Sequence, residues 1–331
     1  MKRALITGIA GQDGSYLAEY LLSLGYQVFG TVRSEYSAAL NLRAIQDRVH
    51  LLYADLTDYL SLLTAVRKSD PDEIYNLAAL PFVPNSWVRP AETFDVNVGG
   101  LARILDIVEK TNQRIRVYQA SSSEMFGNYG GACNETTRLL PVSPYGVSKL
   151  AAHHLSRVYR QRGLFVVSGI LFNHESPRRG LEMVTRKITQ HVARWCWGSK
   201  VPMRLGNIEA RRDWGFAGDY VRAMHMMLQQ DEPREYVVGM GQSRSVREFL
   251  LQALREADVP YESVAGLITH DERFVRENEV VSLCADASNA RRELLWEPEY
   301  DFAGLVRMMV RADIESIGRQ LGQQSKVLAA A

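Results

Sequence analysis

The segment ALITGIAGQDGSYLAEYLLSLGYQVFG, residues 4–30, decides the fold of this chain. A short apolar run leads into glycines at positions 8, 11 and 14. Apolar residues then recur at helical spacing, and a second apolar run begins after Gly25. Because strand, glycine turn, helix and strand follow one another without interruption, the segment predicts the start of a parallel α/β sheet.

The same alternation continues through the first half of the chain. Apolar runs that predict strands cover residues 4–7, 26–32, 49–56, 73–79, 116–122 and 164–172. Helical patterns lie between or after them at residues 15–24, 59–66, 97–109 and 144–160. Because the runs are apolar throughout instead of alternating, both faces of each strand are expected to be buried. The sequence therefore predicts an α/β fold of the Rossmann type, with a doubly wound parallel sheet.

The pattern changes after Phe172. Gly, Pro, Arg and Asn become frequent in NHESPRRG and LGNIEARRDWG, and the helical stretches become shorter. We therefore expect two domains, a cofactor-binding domain at residues 1–172 and a smaller C-terminal α/β substrate domain at residues 173–331. The first is expected to borrow elements from around residues 215–245. The tail after residue 322 is expected to be frayed.

Composition and charge exclude several classes of protein. The 331 residues contain 39 Lys and Arg against 38 Asp and Glu, and the net charge of +1 argues against a dedicated nucleic-acid-binding protein. Three widely spaced cysteines, Cys133, Cys196 and Cys284, predict neither a disulfide framework nor a metal site, and they fit a reducing cytoplasm. The longest apolar stretch, residues 164–172, is far shorter than the roughly 20 residues of a membrane span, so no membrane contact is expected.

The glycine turn is a candidate nucleotide site. Glycines at this spacing allow a tight turn and the close approach of a pyrophosphate to the N-terminus of the following helix. After the second strand stands Arg33, with no acidic residue to bind a ribose hydroxyl, so NADP is favoured and NAD is possible. A solvated loop charge is the alternative for Arg33. Asp55, after the third strand, can accept from an adenine amino group or cap the next helix.

A second motif indicates redox chemistry. Tyr145 and Lys149 are four residues apart in SPYGVSKL, which places both on one face of a helix. A nearby ammonium is expected to lower the pKa of the phenol and let it act as a base. Upstream, the fifth predicted strand ends in three serines and Glu124, where a hydroxyl can hold a substrate oxygen. An exposed helix pair is the alternative, and the serine cluster and glycine turn argue against it.

Together these motifs make the chain resemble the extended short-chain dehydrogenase/reductase family, and within it the GDP-mannose 4,6-dehydratase family. The similarity spans residues 1 to about 317, and NHESPRRG and RDWGFAGDYV are its most specific segments. The matching segments are GIAGQDGSYLAE (8–19), YQASSSEMFG (118–127), SPYGVSKL (143–150), GILFNHESPRRG (169–180), VTRKIT (184–189), LGNIEARRDWGFAGDYV (205–221) and RFVRENEV (273–280).

The resemblance implies a reaction and a set of site residues. The reaction is dehydration of a GDP-mannose-type sugar nucleotide to its 4-keto-6-deoxy product, with internal hydride transfer from C4 to C6 through tightly bound NADP. The catalytic residues implied are Ser122, Glu124, Tyr145 and Lys149. The cofactor-binding residues implied are Gly8, Gly11, Gln12, Asp13, Gly14, Arg33, Asp55, Leu56, Leu77, Ala79, Tyr145 and Lys149. The substrate-binding residues implied are Asn173, Val184, Lys187, Arg212, Arg276 and Glu279.

The clustered basic residues match the charge of a diphosphate, and Arg178 and Arg211 are the weakest candidates among them for binding it.

The sequence departs from the family at Leu80 and Pro81, where a polar pair is usual, and in the segment after Arg33.

Other functions stay open at this point. The same reaction on a GDP-heptose would suit a site built for a mannose-configured sugar. A GDP-4-keto-6-deoxy-sugar reductase would share the fold and the serine-to-glutamate segment. A catalytically dead cofactor-sensing protein would have lost catalytic residues, and Ser122, Tyr145 and Lys149 are all present. The resemblance also implies a homodimer or homotetramer, assembled through the predicted helices at residues 97–109 and 144–160.

Overall fold

The structure is a computed structural model that describes residues 1–33, 40–274 and 280–330. Its strands, labelled in chain order, are β1 (Arg3–Thr7), β2 (Gln27–Val32), β3 (Val49–Tyr53), β4 (Glu73–Asn76), β5 (Arg116–Ser122), β6 (Ala132–Cys133), β7 (Val166–Leu171), β8 (Asn173–Glu175), β9 (Met203–Leu205), β10 (Arg211–Phe216), β11 (Glu235–Val238), β12 (Ser243–Ser245), β13 (Ile268–His270) and β14 (Cys284–Ala285).

The α-helices are α1 (Gln12–Ser23), α2 (Tyr59–Ser69), α3 (Val83–Val88), α4 (Pro90–Phe94), α5 (Gly100–Thr111), α6 (Pro144–Gln161), α7 (Val184–Cys196), α8 (Ala217–Leu228), α9 (Val246–Glu256), α10 (Tyr261–Val264), α11 (Ser288–Glu293) and α12 (Phe302–Ala330). A π-helical turn over Asp95–Gly99 joins α4 to α5.

Seven strands form the central sheet, in the spatial order β3-β2-β1-β4-β5-β7-β11. Every neighbouring pair in this sheet is parallel. The chain starts in the middle at β1, moves outward to β3, and returns to build the other half from β4. The crevice at such a reversal, outside the carboxyl ends of the strands, is where doubly wound sheets bind ligands. The predicted Rossmann-type fold is confirmed.

Two apolar layers cover the sheet. On one face, buried residues of α1, α8 and α11 pack on the strands, and Leu17 and Met224 are fully buried there. On the other face the layer comes from α2, α5 and α6, with Ile104 and Ala152 almost fully buried. The apolar character of the strands follows from this arrangement, because each strand lies between two helical layers.

Element boundaries differ from the predictions where distant side chains intervene. The predicted strand at 73–79 ends at Asn76, because the hydroxyl of Thr7 accepts hydrogen bonds from the backbone N–H groups of Leu77 and Ala78, both at 3.1 Å. The first helix begins at Gln12, three residues earlier than predicted. It can do so because its first turn contains Gly14, whose missing side chain leaves room for the Gly8 carbonyl.

The remaining elements form a smaller assembly beside the carboxyl edge of the sheet. A three-stranded sheet, β12-β10-β8, packs with α7, α9 and α12 around a core that includes Trp214 and Phe249. The pairs β9-β13 and β6-β14 extend it. Among the described helices, none combines the length and apolar character needed to cross a bilayer.

The predicted division into domains at residue 172 stays a prediction. As expected for borrowed elements, β11 pairs with β7 in the central sheet and α8 packs against α1. The chain also returns to this sheet later than predicted, since Ala290 of α11 and the fully buried Trp296 belong to the same apolar layer. The backbone of α12 stays helical to Ala330, and fraying after residue 322 stays a prediction.

Candidate active site

A cleft of about 790 Å³ opens at the carboxyl edge of the central sheet, where the smaller assembly meets it. The turns that follow β1, β4 and β5 form one wall, together with the start of α6. Residues of β8, α7 and β10 form the opposite wall. The cleft therefore lies where the topology predicts a ligand site and takes side chains from both parts of the chain.

The glycine turn after β1 forms a cradle that any side chain would fill. Gly8 has a φ of +69°, a left-handed conformation that favours glycine. A Cβ at Gly14 would lie 2.4 Å from the carbonyl oxygen of Gly8, and one at Gly11 would lie 3.2 Å from the same atom. The exposed Gly11 precedes the first turn of α1. Bare backbone at a helix N-terminus fits a cofactor's pyrophosphate.

The first turn of α1 is tied to β8 by a buried network. The Gln12 amide donates to the carbonyl oxygen of His174 at 3.1 Å and accepts from the Ser176 hydroxyl at 2.8 Å. The Asp13 carboxylate lies 2.8 Å from Nε2 of His174. The Gln12 side chain therefore connects α1 to the segment at His174 and Ser176. Asp13 makes a contact of the same kind and also lines the cleft.

His174 is a cation in this arrangement. Its Nδ1 lies 2.7 Å from the carbonyl oxygen of Phe172, and its Nε2 faces the Asp13 carboxylate. Both partners are acceptors, so both ring nitrogens must carry a proton. Burial alone would lower the pKa of His174, but the Asp13 carboxylate outweighs it and the pKa is raised. Burial would likewise raise the pKa of Asp13, yet His174 lowers it to about 2.

Ser122, Tyr145 and Lys149 meet in the cleft as the sequence predicts. Ser122 ends β5, Tyr145 is in the first turn of α6, and the Tyr145 hydroxyl is hydrogen-bonded to Ser122. Nζ of Lys149 lies 5.8 Å from the centre of the Tyr145 ring and donates to the Ala120 carbonyl at 2.9 Å. The three groups are thus positioned by one strand and one helix.

The predicted lowering of the pKa of Tyr145 is wrong. Burial raises the pKa of Tyr145 to about 12, and the hydrogen bond from Ser122 offsets only part of that rise. Burial also lowers the pKa of Lys149 to about 8. The physical reason is desolvation: both side chains are at most 8% exposed, so the charged form of each is disfavoured.

Glu124 lies in the short turn after β5 and lines the cleft beside Ser122. Its backbone N–H donates to the Ser122 hydroxyl at 3.2 Å. Its carboxylate is close enough to Tyr145 to contribute to the raised pKa of that phenol. Within the described ranges, no hydrogen bond or ion pair holds this carboxylate. It is therefore available to exchange a proton with a ligand.

On the opposite wall, the structure brings together four of the predicted substrate residues. Asn173 begins β8, Val184 and Lys187 lie in the first turn of α7, and Arg212 lies in β10. Nζ of Lys187 lies over the Phe274 ring at 3.5 Å from its centre. The Arg212 guanidinium donates to the carbonyl oxygens of Arg211 and Val280 at 2.8 and 2.7 Å. Two cations thus face the cleft.

The predicted cofactor residues fall into two groups. Asp13, Leu77 and Ala79 line the cleft with Tyr145 and Lys149. Gly8, Gly11, Gln12, Gly14, Arg33, Asp55 and Leu56 follow β1, β2 and β3 outside the cleft lining. The Leu56 side chain is buried in the core, so only its backbone could contact a ligand.

Arg33 and Asp55 lie close together at the ends of β2 and β3. Arg33 is exposed, and Asp55 accepts hydrogen bonds from the backbone and hydroxyl of Thr57 at 2.8 and 2.7 Å. Burial would raise the pKa of Asp55, but the Thr57 hydrogen bonds and the charge of Arg33 lower it. The predicted helix-capping role belongs instead to Asp58, whose carboxylate accepts from the first turn of α2.

Two of the predicted substrate residues, Arg276 and Glu279, lie outside the described residues. Arg178 and Arg211 have structural partners. Arg178 pairs with Glu19 at 2.7 Å and stacks on Tyr16, and Arg211 pairs with Glu248 at 3.2 Å. Within the described part of the chain, no cluster of acidic, histidine or cysteine residues could hold a metal ion.

Sequence reasoning missed His174 as a charged residue of the cleft, and it placed Arg179 only among the clustered basic residues that match a diphosphate. Arg179 forms an ion pair with Glu175 at 3.3 Å, and its charge acts on both Asp13 and Tyr145. Both residues lie in NHESPRRG, the segment singled out as most specific. Its density of charged residues next to a buried strand is the signal that could have identified them.

Comparison with protein families gives one full-length match. A family model described as GDP-mannose 4,6 dehydratase matches residues 5–309. The chain is 44% identical to GDP-mannose 4,6 dehydratase 2 of Arabidopsis thaliana, over 99% of this chain and 89% of that protein. It is 42% identical to GDP-mannose 4,6 dehydratase of Homo sapiens, over 94% of this chain and 91% of that protein.

Solved structures show the same fold. A UDP-glucose 4-epimerase of Thermus thermophilus, in complex with NAD, superposes with a TM-score of 0.83. The two chains are 25% identical, and the match covers 94% of this chain and 98% of the epimerase.

Proposed function

The chain belongs to the GDP-mannose 4,6-dehydratase family, and we propose that it dehydrates a GDP-mannose-type sugar nucleotide to the 4-keto-6-deoxy sugar nucleotide. It is an enzyme, a hydro-lyase with a nicotinamide cofactor. The observation that carries this proposal is the Glu124 carboxylate, which lies beside Ser122 and Tyr145 in the cleft without a hydrogen-bonding partner among the described residues. A redox site needs the serine and the tyrosine, whereas elimination of water needs a further acid–base group.

Tyr145, Ser122 and Glu124 have different roles in the proposed reaction. Tyr145 accepts the proton of the sugar C4 hydroxyl, and Ser122 hydrogen-bonds the C4 oxygen. A nicotinamide cofactor held at the glycine turn beside Tyr145 and Lys149 would supply the acceptor for the C4 hydride and, later, the donor of that hydride to C6. The C4 ketone acidifies the proton at C5. Glu124 removes that proton and then protonates the C6 hydroxyl, which leaves as water. The double bond left between C5 and C6 then takes the hydride at C6 and a proton at C5, equivalent to the proton that Tyr145 accepted.

Removal of the proton from the C4 hydroxyl needs a phenolate, which burial of the Tyr145 side chain disfavours. The pKa of Tyr145 is raised to about 12 by burial, so a positive charge must come close to the ring in the working complex. Nζ of Lys149, 5.8 Å from the ring centre, is one candidate for that charge. The charge of Arg179 also lowers the pKa of Tyr145, though less than burial raises it.

The residues of the opposite wall suit a nucleoside diphosphate. We propose that Lys187, Arg212 and Arg276 bind its phosphates, and that Asn173, Val184 and Glu279 complete the substrate contacts. Arginine and lysine are the side chains that bind phosphate oxygens in most sites. The apolar residues Pro81, Phe82 and Trp87 line the cleft, and Pro81 is one of the two positions where the family was expected to have polar side chains. A GDP-heptose is therefore retained as a second candidate substrate.

The proposed reaction is tested by following hydrogen in the wild-type enzyme. With GDP-mannose deuterated at C4, the label is expected at C6 of the product, and in heavy water C5 is expected to gain deuterium. No added reductant should be needed. A requirement for stoichiometric NADPH, or transfer of the C4 label to the free cofactor, would favour the reductase. Parallel assays with GDP-mannose and a GDP-manno-heptose show which of the two sugar nucleotides the enzyme converts.

The preference for NADP is a proposal of its own. Arg33 is exposed at the end of β2 beside Asp55, where the adenosine part of a cofactor in the glycine turn would lie. We expect Arg33→Ala to weaken NADP binding by about 1–3 kcal/mol, the contribution of a charged hydrogen bond to a phosphate. NAD affinity should not change, because NAD lacks the 2′-phosphate.

Titration of both cofactors by fluorescence measures this difference. Arg48→Ala, which removes another exposed cation before β3, is the matched control and should leave both affinities unchanged. Equal affinities of the wild type for NADP and NAD would contradict the assignment.

Assembly and cellular location are proposed from the family alone. We propose a homodimer or homotetramer that packs through α5 and α6. We also propose that the enzyme is cytoplasmic and that its binding partner is the sugar nucleotide.

A further inference from the structure

His153 is a buried histidine of α6 that the proposed reaction does not use. It is 1% exposed, and its Nδ1 lies 3.1 Å from the hydroxyl oxygen of Ser121 in β5. Ser121 lines the cleft and directly precedes Ser122. His153 follows Tyr145 and Lys149 at intervals of eight and four residues, so the three lie on the same buried face of the helix. The contact therefore joins the strand that holds Ser122 to the helix that holds Tyr145.

The other edge of the His153 ring is anchored to a third element. Its Nε2 lies 3.2 Å from the carboxylate of Glu235, the first residue of β11. Two arginines of α6 hold the same carboxylate: Arg157 at 2.6 Å and Arg160 at 3.6 Å. The negative charge of the carboxylate favours the tautomer in which Nε2 carries the ring proton. In the neutral ring Nδ1 then accepts from the Ser121 hydroxyl.

The ring orientation is thus determined from both sides. Glu235 fixes the tautomer and the plane of the imidazole, and the imidazole fixes the hydroxyl of Ser121. Because Ser122 follows in the same strand, its position relative to the Tyr145 hydroxyl depends on this link. The hydrogen bond between His153 and Ser121 would therefore preserve the hydrogen bond between Ser122 and Tyr145.

We propose that His153 is a positioning residue for the dehydration: through Ser121 it holds the end of β5 against α6 and keeps Ser122 and Tyr145 in reacting geometry. This inference rests on the proposed function, since it assigns a role within that reaction. Small misplacements of reacting groups are costly, because a shift of about 1 Å can reduce a rate by roughly 100-fold. The effect is therefore expected in kcat and not in ligand affinity.

Two substitutions of His153 separate the two contacts. The amide of His153→Asn can occupy the place of Nδ1 and keep the hydrogen bond to Ser121, but it is too short to reach Glu235. The longer His153→Gln can reach Glu235 and loses Ser121. In both variants Glu235 keeps its two arginines, so no buried charge is left uncompensated.

We expect His153→Gln to lower kcat on GDP-mannose on the order of 10- to 100-fold, with the Kd for substrate by calorimetry unchanged. His153→Asn should recover most of the lost kcat. The adjacent His154→Gln is the matched control, because His154 is exposed, and it should behave like the wild type. Equal losses in the Gln and Asn variants, or an undiminished kcat in His153→Gln, would overturn the proposal.

A smaller change tests the same contact should the His153 variants fold poorly. Ser121→Ala removes the hydroxyl alone and is expected to reproduce the kcat loss. Combined with His153→Gln, it should add no further loss, since the two changes break one hydrogen bond. Additive losses would contradict the proposal. Failure of the proposed function is seen separately, as a wild-type enzyme that does not convert GDP-mannose.

Discussion

Replacing Glu124 by glutamine is expected to lower kcat for dehydration by about 10²–10⁴-fold, the usual contribution of general acid–base catalysis. The amide keeps the size of the carboxylate but cannot take the C5 proton or protonate the departing C6 hydroxyl. Because no described group is hydrogen-bonded to this carboxylate, the substitution leaves no partner without a hydrogen bond. Measured stability should therefore stay close to that of the wild type.

An isotope effect identifies the step that is lost. With substrate deuterated at C5, the isotope effect on kcat should be larger in Glu124→Gln than in the wild type, because C5 proton removal becomes limiting. Glu182→Gln provides the matched control. Glu182 lines the same cleft on the loop before α7, and the same chemical change there should leave the C5 isotope effect unaltered. A Glu124→Gln enzyme with wild-type kcat would exclude Glu124 as the base.

Replacing His174 by phenylalanine is expected to destabilise the fold by about 3 kcal/mol at pH 6, the lower end of the range for breaking a buried ion pair. The lower end applies because the His174 and Asp13 side chains are 12% and 21% exposed. Phenylalanine keeps the stacking on Tyr220, at 4.8 Å between ring centres, and removes both N–H donors. The free energy of unfolding by urea, measured for both proteins, gives the difference.

The pH dependence of that difference has a definite sign. His174 has a raised pKa, so its contribution is complete below its unfolded value of about 6.5 and is lost as the pH rises through the folded pKa. Asp13 has a pKa of about 2, so its contribution is complete above about 3.9 and is lost as the pH falls toward 2. The wild type should therefore exceed His174→Phe most between about pH 4 and 6.5.

The difference should shrink at pH 9. His154→Phe serves as the control, since an exposed histidine should change the unfolding free energy by less than about 0.5 kcal/mol at either pH. A difference between wild type and His174→Phe that does not vary with pH would show that the ring acts by packing alone.

The fold could be predicted because its determinants are local. An apolar run, a glycine turn and a helical period are properties of ten to twenty neighbouring residues, and the central strands lie where these patterns place them. The YxxxK spacing also predicted that Tyr145 and Lys149 lie side by side, because residues four apart on a helix share a face. Ser122 and Glu124 could also be located from the sequence, because they lie at and just after the end of one buried strand.

The details of the site depend on contacts between distant residues. The end of β4 was predicted too far along the chain, because the backbone of Leu77 and Ala78 is hydrogen-bonded by Thr7, which lies in another strand. The pKa of Tyr145 was predicted in the wrong direction, because the number of atoms that exclude water from the phenol is set by packing and not by the neighbouring lysine in sequence.

The sequence by itself determined the parallel sheet, the glycine cradle and the placement of Ser122, Tyr145 and Lys149 on one strand and one helix, since each depends on spacing between neighbouring residues. The tertiary structure alone decided which charges meet. Asp13 and His174 are 161 residues apart in the chain, and His153 contacts Ser121 and Glu235 on two other elements. No periodicity encodes such pairs, because electrostatic energy and hydrogen bonding depend on distance in space, which only the folded sheet and its two helical layers establish.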